Sequence, residues 1–223
     1  MGDPLVIRVS GRSARVRISA KDGADTAIEG GRVQHCADGS MDVSSASSAI
    51  TITCPPDTSV TISTASGSVS VHGQLGVVQV VTASGKVEVE HAADLEVRTA
   101  SGRVEVGECH HNCRVTTQTG RIDVGASGGV ELSSTAGRVT VGQAQRASVR
   151  TVSGRIEIGA TAGATVEAHT ISGKVEVRVA GQLPARMQLS SRSGSIKRDV
   201  PDGDGGAHIE VTTTSGSIAI ERP

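Results

Sequence analysis

The chain has 223 residues, with 22 Lys and Arg against 23 Asp and Glu, and it contains no Phe, Tyr or Trp. The near-neutral balance gives no electrostatic reason to expect nucleic acid or an anionic membrane as partner, and the missing rings remove the stacking platforms used by sugar clefts and single-strand grooves. No apolar run approaches the length of a membrane span and no basic-then-apolar leader opens the chain, so the expectation is a soluble intracellular, cytoplasmic protein without membrane insertion.

In chain order, residues 1–57 come first and read as short strands: LVIRVSG, ARVRISA, GRVQHC and AITITC. They lack the regular glycine spacing that follows. One end of a stacked sheet must be covered or its edge will pair with other chains, so this segment is expected to be a β-rich N-terminal cap.

Residues 58–223 are organised by a repeat. TASGKVEVE, from Thr82, returns as TASGRVEVG, from Thr99. Aligned glycines stand at 67, 85, 102, 120, 137, 154, 173, 194 and 216, spaced by 18, 17, 18, 17, 17, 19, 21 and 22 residues. Two and four positions after the glycine come apolar pairs such as Val87/Val89, Val104/Val106 and Ile156/Ile158, and pairs such as Leu95/Val97 and Val130/Leu132 stand seven and five before it. Period-two alternation rich in β-branched residues is the strand pattern. Each repeat is therefore strand, glycine corner, strand and short loop.

Two short strands cannot bury their apolar face alone, but successive repeats stacked in parallel can. The predicted fold is all-β, a parallel β-solenoid with two strands per 17–18-residue coil and nine glycine-marked coils. At about 4.8 Å per coil these would stack to about 43 Å. A Greek-key sandwich is the alternative, but it would not need the same side chain at each equivalent position. The last two repeats carry longer, proline-containing insertions, as terminal repeats often do.

The stretch ITCPPDTSVTISTASGSVSV, followed by repeated T-x-S-G-[KR]-[VI]-[ED]-[VI], resembles the putative-adhesin family of domains of unknown function over residues 45–220. That resemblance implies a right-handed or sandwich-like β-solenoid and a non-enzymatic surface or scaffold role. It brings no catalytic motif and no cofactor.

Three groups of residues are candidates for function. One position after the glycine stand Lys86, Arg103, Arg121, Arg138, Arg155 and Lys174, and three after it Glu88, Glu105, Asp123, Thr140, Glu157 and Glu176. Parity puts both columns outward, opposite the apolar pairs. They read as a solubilising surface of weak pairs or as a charged docking strip for a protein partner. A phosphate loop is not indicated, because carboxylates accompany the cations and GxxxxGK[ST] is absent.

The hydroxyl columns come next. Thr or Ser lies three before each glycine and, with one Ala, Ser or Thr lies one before it. Both share the parity of the inward apolar positions and are expected to bond inside the corner rather than bind ice. The third group is the loop CHHNC, where Cys109, His110 and His111, with His91 one repeat earlier, are the candidate metal ligands. Cys113 falls in an inward column, which competes with ligation. Cys36, Cys54, Cys109 and Cys113 together are expected as small buried residues rather than a disulfide framework.

The resulting expectation is a non-enzymatic scaffold or protein-interaction module, with a metal-binding or carbohydrate-processing protein using the Cys109–Cys113 loop as the alternative. An enzyme would need convergent polar groups in a pocket, and loops this short build few.

Overall fold

A computed structural model of the chain describes residues 5–37, 39–45, 49–181, 184–203 and 206–222. The described residues are all-β: strands joined by turns, with no helix. Among them no helix is long and apolar enough to cross a membrane. The strands are β1 (Val6–Ser13), β2 (Val16–Ala20), β3 (Ala27–Glu29), β4 (Arg32–His35), β5 (Met41–Ser45), β6 (Ile50–Cys54), β7 (Ser59–Val179), β8 (Arg186–Ser193), β9 (Ile196–Arg198) and β10 (His208–Glu221). The chain forms two compact units, Met1–His111 and Asn112–Pro223.

β7 is 121 residues of extended backbone. Straight, it would run on the order of 400 Å; it is instead folded at the glycines. Gly85 and Gly102 adopt φ of 131° and 141°, a region L-residues avoid. A Cβ on Gly85 would lie 1.8 Å from the Gly67 carbonyl oxygen, and one on Gly102 would lie 2.0 Å from that of Gly85. The second unit repeats this, with Gly137 against Gly120 at 1.9 Å and Gly154 against Gly137 at 2.0 Å. Only glycine supplies both the dihedral and the approach.

In the first unit, β1 pairs in parallel with the opening of β7, Ile7 opposite Val60 and Val9 opposite Ile62. After the corner β2 does the same, Val16 opposite Val69 and Ile18 opposite Val71. On their other side lie β5, with Val9 opposite Val43, and β6, with Ile18 opposite Ile52. The spatial order is thus 41–54, then 6–20, then 59–72, whereas the chain runs 6–20 first. The N-terminal segment holds two layers of the same design, and the glycine search passed over them because Ala14 sits at the first corner. A Cβ on Gly67 would be 2.2 Å from the Ala14 carbonyl oxygen, the same stacking relation. The antiparallel strands β4 on β5 and β3 on β6 lie outermost.

Returning from 54 to 59 means passing the 6–20 layer, and CPPDT makes that step. Asp57 takes φ 60°, Thr58 Oγ1 donates to the Pro55 carbonyl at 2.7 Å, and Gly76 N–H donates to the Thr58 carbonyl at 3.1 Å. Two prolines remove donors that no neighbour would accept here.

The second unit ends the same way. β10 lies between residues 165–178 of β7 and the pair β8/β9, with Ile209 opposite both Val166 and Met187. The repeat around Gly194 therefore stacks outside the one around Gly216. Sequential stacking, expected from the glycine spacing, does not hold for these last two repeats.

The cores hold Val, Ile, Leu, Ala and Cys. In the first unit Ile7, Ile18, Ile62, Val80, Val97 and Val104 are buried, and in the second Ile122, Leu132, Val149, Ile156, Val177 and Ile209. Each contributes about 1.5–3 kcal/mol. The inward Thr column closes the corner. Thr64, Thr82 and Thr99 in the first unit donate to the carbonyls of Ser66, Ser84 and Ser101 at 2.9, 3.0 and 3.1 Å. Thr117, Ser134 and Thr151 in the second do so to residues 119, 136 and 153 at 3.1–3.2 Å. The hydroxyl donates to the carbonyl two residues on and so braces the chain just before the glycine. Thr170 and Thr213, paired in register, are buried with Oγ1 unsatisfied, and nothing in the fold explains this pair. The Ser column one before glycine is half-buried or exposed, not interior as parity indicates, because the corner turns the side chain out.

Thr99→Val should therefore cost about 1–2 kcal/mol by removing the bond to the Ser101 carbonyl, while Ser101→Ala stays within about 0.5 kcal/mol. Urea titration of the two variants checks this, and equal losses would refute the inward assignment. Gly102→Ala should lose about 3 kcal/mol or more, from strain and backbone overlap together.

Candidate interaction surface

The charged columns face outward as parity requires. In the first unit Lys86 Nζ lies 2.6 Å from Glu105 Oε2 in the next layer and 3.1 Å from Glu88 Oε2 in its own, and Arg103 reaches Glu105 at 3.4 Å. The Lys86 hydrogen bond holds the Glu105 carboxyl below its usual range, with burial opposing and Arg103 assisting. The same bond, with that to Glu88, raises Lys86. In the second unit Arg121 faces Asp123 at 4.0 Å, Arg155 faces Glu157 at 3.6 Å, and Lys174 pairs with Glu176. Glu176 is drawn down by Lys174 first, then by the fields of Arg155 and Arg178. Thr140 interrupts the acid column, and Arg138 makes no ion pair among the described residues.

The columns are thus largely self-neutralising. Six cations face five acids, and the excess falls at Arg138. Half-exposed pairs of this kind contribute under about 1 kcal/mol each.

The candidate metal ligands are not brought together. Cys109 is buried and its thiol points to the Ala93 carbonyl at 3.7 Å; in the second unit Cys113 is buried too. His110 Nδ1 and His91 Nδ1 flank Glu108 at 3.8 and 3.6 Å, while His111 Nδ1 turns to Asp94 at 3.5 Å. Among the described residues no three His, Cys, Asp or Glu side chains form a metal-holding group. Inward parity and imidazole–carboxylate pairing have taken up these groups. All four cysteines are free thiols; Cys54 and the CHHNC pair are buried as expected, and Cys36 is partly exposed.

The sequence reading passed over an apolar pair. Val152 and Ile171, two before Gly154 and Gly173, are 46% and 54% exposed. With Arg150, His169 and Thr135 they line a shallow groove of about 290 Å³ in the second unit. The signal was available, since both occupy an outward parity position where neighbouring repeats carry Thr or Gln.

Because the folded Glu105 carboxyl titrates below its unfolded value, the stability it contributes is present above that value and is lost as pH falls through the folded one. Glu105→Gln should melt slightly below the parent at pH 7, by under about 1 kcal/mol, and the gap should narrow as pH is taken below the ordinary carboxylate range. Thermal melts at pH 7 and below that range read this, and a gap of equal size at both would rule out the ion pair as its source.

No curated protein matches the chain. One solved structure that resembles it is a putative cell adhesion protein from Clostridium sporogenes ATCC 15579, 8% identical, covering 99% of this chain and 93% of that one with a TM-score of 0.21. Overlap at that level adds nothing to fold or function. A family model, Toastrack DUF4097, matches residues 5–222, reaching through the N-terminal segment as well as the repeats. All-β, built on the T-x-S-G repeat and of the domain-of-unknown-function type that its motifs resemble, the chain belongs to the Toastrack DUF4097 family.

Proposed function

We propose that this chain is a non-enzymatic interaction module, a parallel β-solenoid of two strands per 17–18-residue layer with nine glycine-marked layers, which presents its outward columns to a protein partner. The in-register parallel pairing and the carbonyl-on-glycine stacking support the solenoid reading. Residues 1–57 act as the cap of residues 58–223. β3 and β4, antiparallel and outermost, are the parts that blunt the end.

One observation carries the interaction reading. Most valines of the repeats, the thiols of Cys109 and Cys113 and the threonines three before glycine are turned inward, so these groups serve the core and the corner. What the repeats leave outside includes the ion-pair ladder, its interruption at Arg138 and Thr140, and exposed apolar side chains, Val77 and Val81 in the first unit and Val152 and Ile171 in the second. The Val152 and Ile171 pair lines a groove with Arg150 and His169, and an apolar groove of this kind gains by being covered.

Reversal of Arg103, Arg121, Arg138 and Arg155 to Glu should abolish partner capture from the native lysate, and Val152→Ser with Ile171→Ser should weaken it about tenfold. Recovery of the same proteins at the same yield by both variants would show that these faces are only solvated surface.

A further inference from the structure

The first unit carries a basic, hydroxyl-lined depression separate from the charged columns. Its cavity volume is about 1080 Å³, and Arg12, Arg32, Ser10, Ser44, Ser63 and the Gly30–Gly31 turn line it. Strand register explains the arrangement. Arg32 on β4 pairs with Ser44 on β5, Ser44 with Ser10 on β1, and Ser10 with Ser63 on β7. Paired residues project from the same face, so one guanidinium and three hydroxyls stand in a row across four strands, spaced about 4.8 Å apart. Arg12 stands two residues beyond Ser10 on the same face.

Charge distinguishes this row from the rest of the surface. Most cations of the repeat columns have a carboxylate two residues on. Among the described residues Arg12 and Arg32 have no ion pair, and no carboxylate lines the depression. The nearest acid in register, Asp42 on β5, is engaged by Arg8 at 3.7 Å and by the Cys36 thiol at 3.4 Å. The hydroxyls of Ser10, Ser44 and Ser63 are exposed and make no hydrogen bond among the described residues. Protection of the sheet edge accounts for a cation on β4, but not for a second on β1, which is paired on both sides.

The geometry points to an oxyanion site in which Arg12 and Arg32 hold a phosphate monoester while the adjacent Ser10 and Ser44 hydroxyls donate to its oxygens and Ser63, two strands from Ser44, meets the rest of the ligand. Two uncompensated guanidiniums match a dianion, and fork-shaped donors with adjacent hydroxyls match a tetrahedral group with several acceptors. The depression far exceeds one phosphate, so the ligand extends beyond its charged end. With no ring in the chain to stack on a base or a sugar face, a polyol phosphate fits better than a nucleotide or a sugar phosphate. The site does not depend on the interaction reading of the repeat columns.

Calorimetric titration of the full chain with inorganic phosphate and, separately, with glycerol 3-phosphate tests this. The expected result is 1:1 binding of both, tighter for the ester. Arg12→Ala and Arg32→Ala should each weaken it about tenfold or more and Ser10→Ala less, while Arg114→Ala, at an arginine paired with Glu131 in the second unit, leaves it unchanged. Amide shifts of Gly11, Gly30 and Gly31 on titration would locate the ligand. Binding of phosphate alone, without gain from the ester, would limit the site to the free anion and overturn the monoester assignment. No heat with either probe at about 10 mM, or equal binding by a folded Arg12→Ala/Arg32→Ala double variant, would overturn the site itself.

Discussion

The structure depends on a carbonyl oxygen of one glycine lying where the next glycine's Cβ would be. Approaches of 1.8–2.0 Å recur between successive corners within each unit. They bring backbone against backbone where a side chain would hold the layers apart. The strands on either side then fall into parallel register, and register decides which side chains meet. The inward threonine belongs to the same corner: its hydroxyl donates to the carbonyl two residues on, just before the glycine. The T-x-S-G motif is thus a single device, in which glycine permits the turn and threonine braces it.

A stack of parallel strands has open ends, and neither β1 nor β10 lies at one: β1 lies between β5 and β7, and β10 between β7 and the β8/β9 pair. A strand bonded on both sides cannot open without breaking two ladders. The outermost positions go to strands held at both ends by the chain. The cost is a connection that passes over a layer, and the Pro55–Thr58 turn is built for that step.

Much of this was legible in the sequence, for a physical reason. Glycine at φ near 130–144° has no substitute, so the corner column appears in letters, and period-two alternation fixes which residues are inward. Ala14 escaped because the first corner does not need the positive φ that makes glycine obligatory. The exchanged order of the terminal layers escaped because spacing along the chain records how many residues separate two corners, not which layer lies between them. Val152 and Ile171 could have been found by asking which outward positions are apolar. The Arg12–Arg32 row could not, since its members lie on four strands and only pairing brings them together.

This distribution also says where such a fold can carry chemistry. Every interior position is constrained by the layer on each side, and with no aromatic residue the core admits only branched aliphatic, small and hydroxyl-bearing side chains. Outward columns inherit the repeat, so a cation in one layer meets a carboxylate in its own layer and in the next, as at Lys86, and the field cancels. A net field arises only where the repeat fails. It fails at Thr140, which leaves Arg138 uncompensated, and in the first layers, where parallel strands from separate segments meet the antiparallel β4. There the side chains beside one another are unrelated by repetition, and two arginines can face three serines without an acid between them. In a repetitive sheet, specificity belongs to the interruptions.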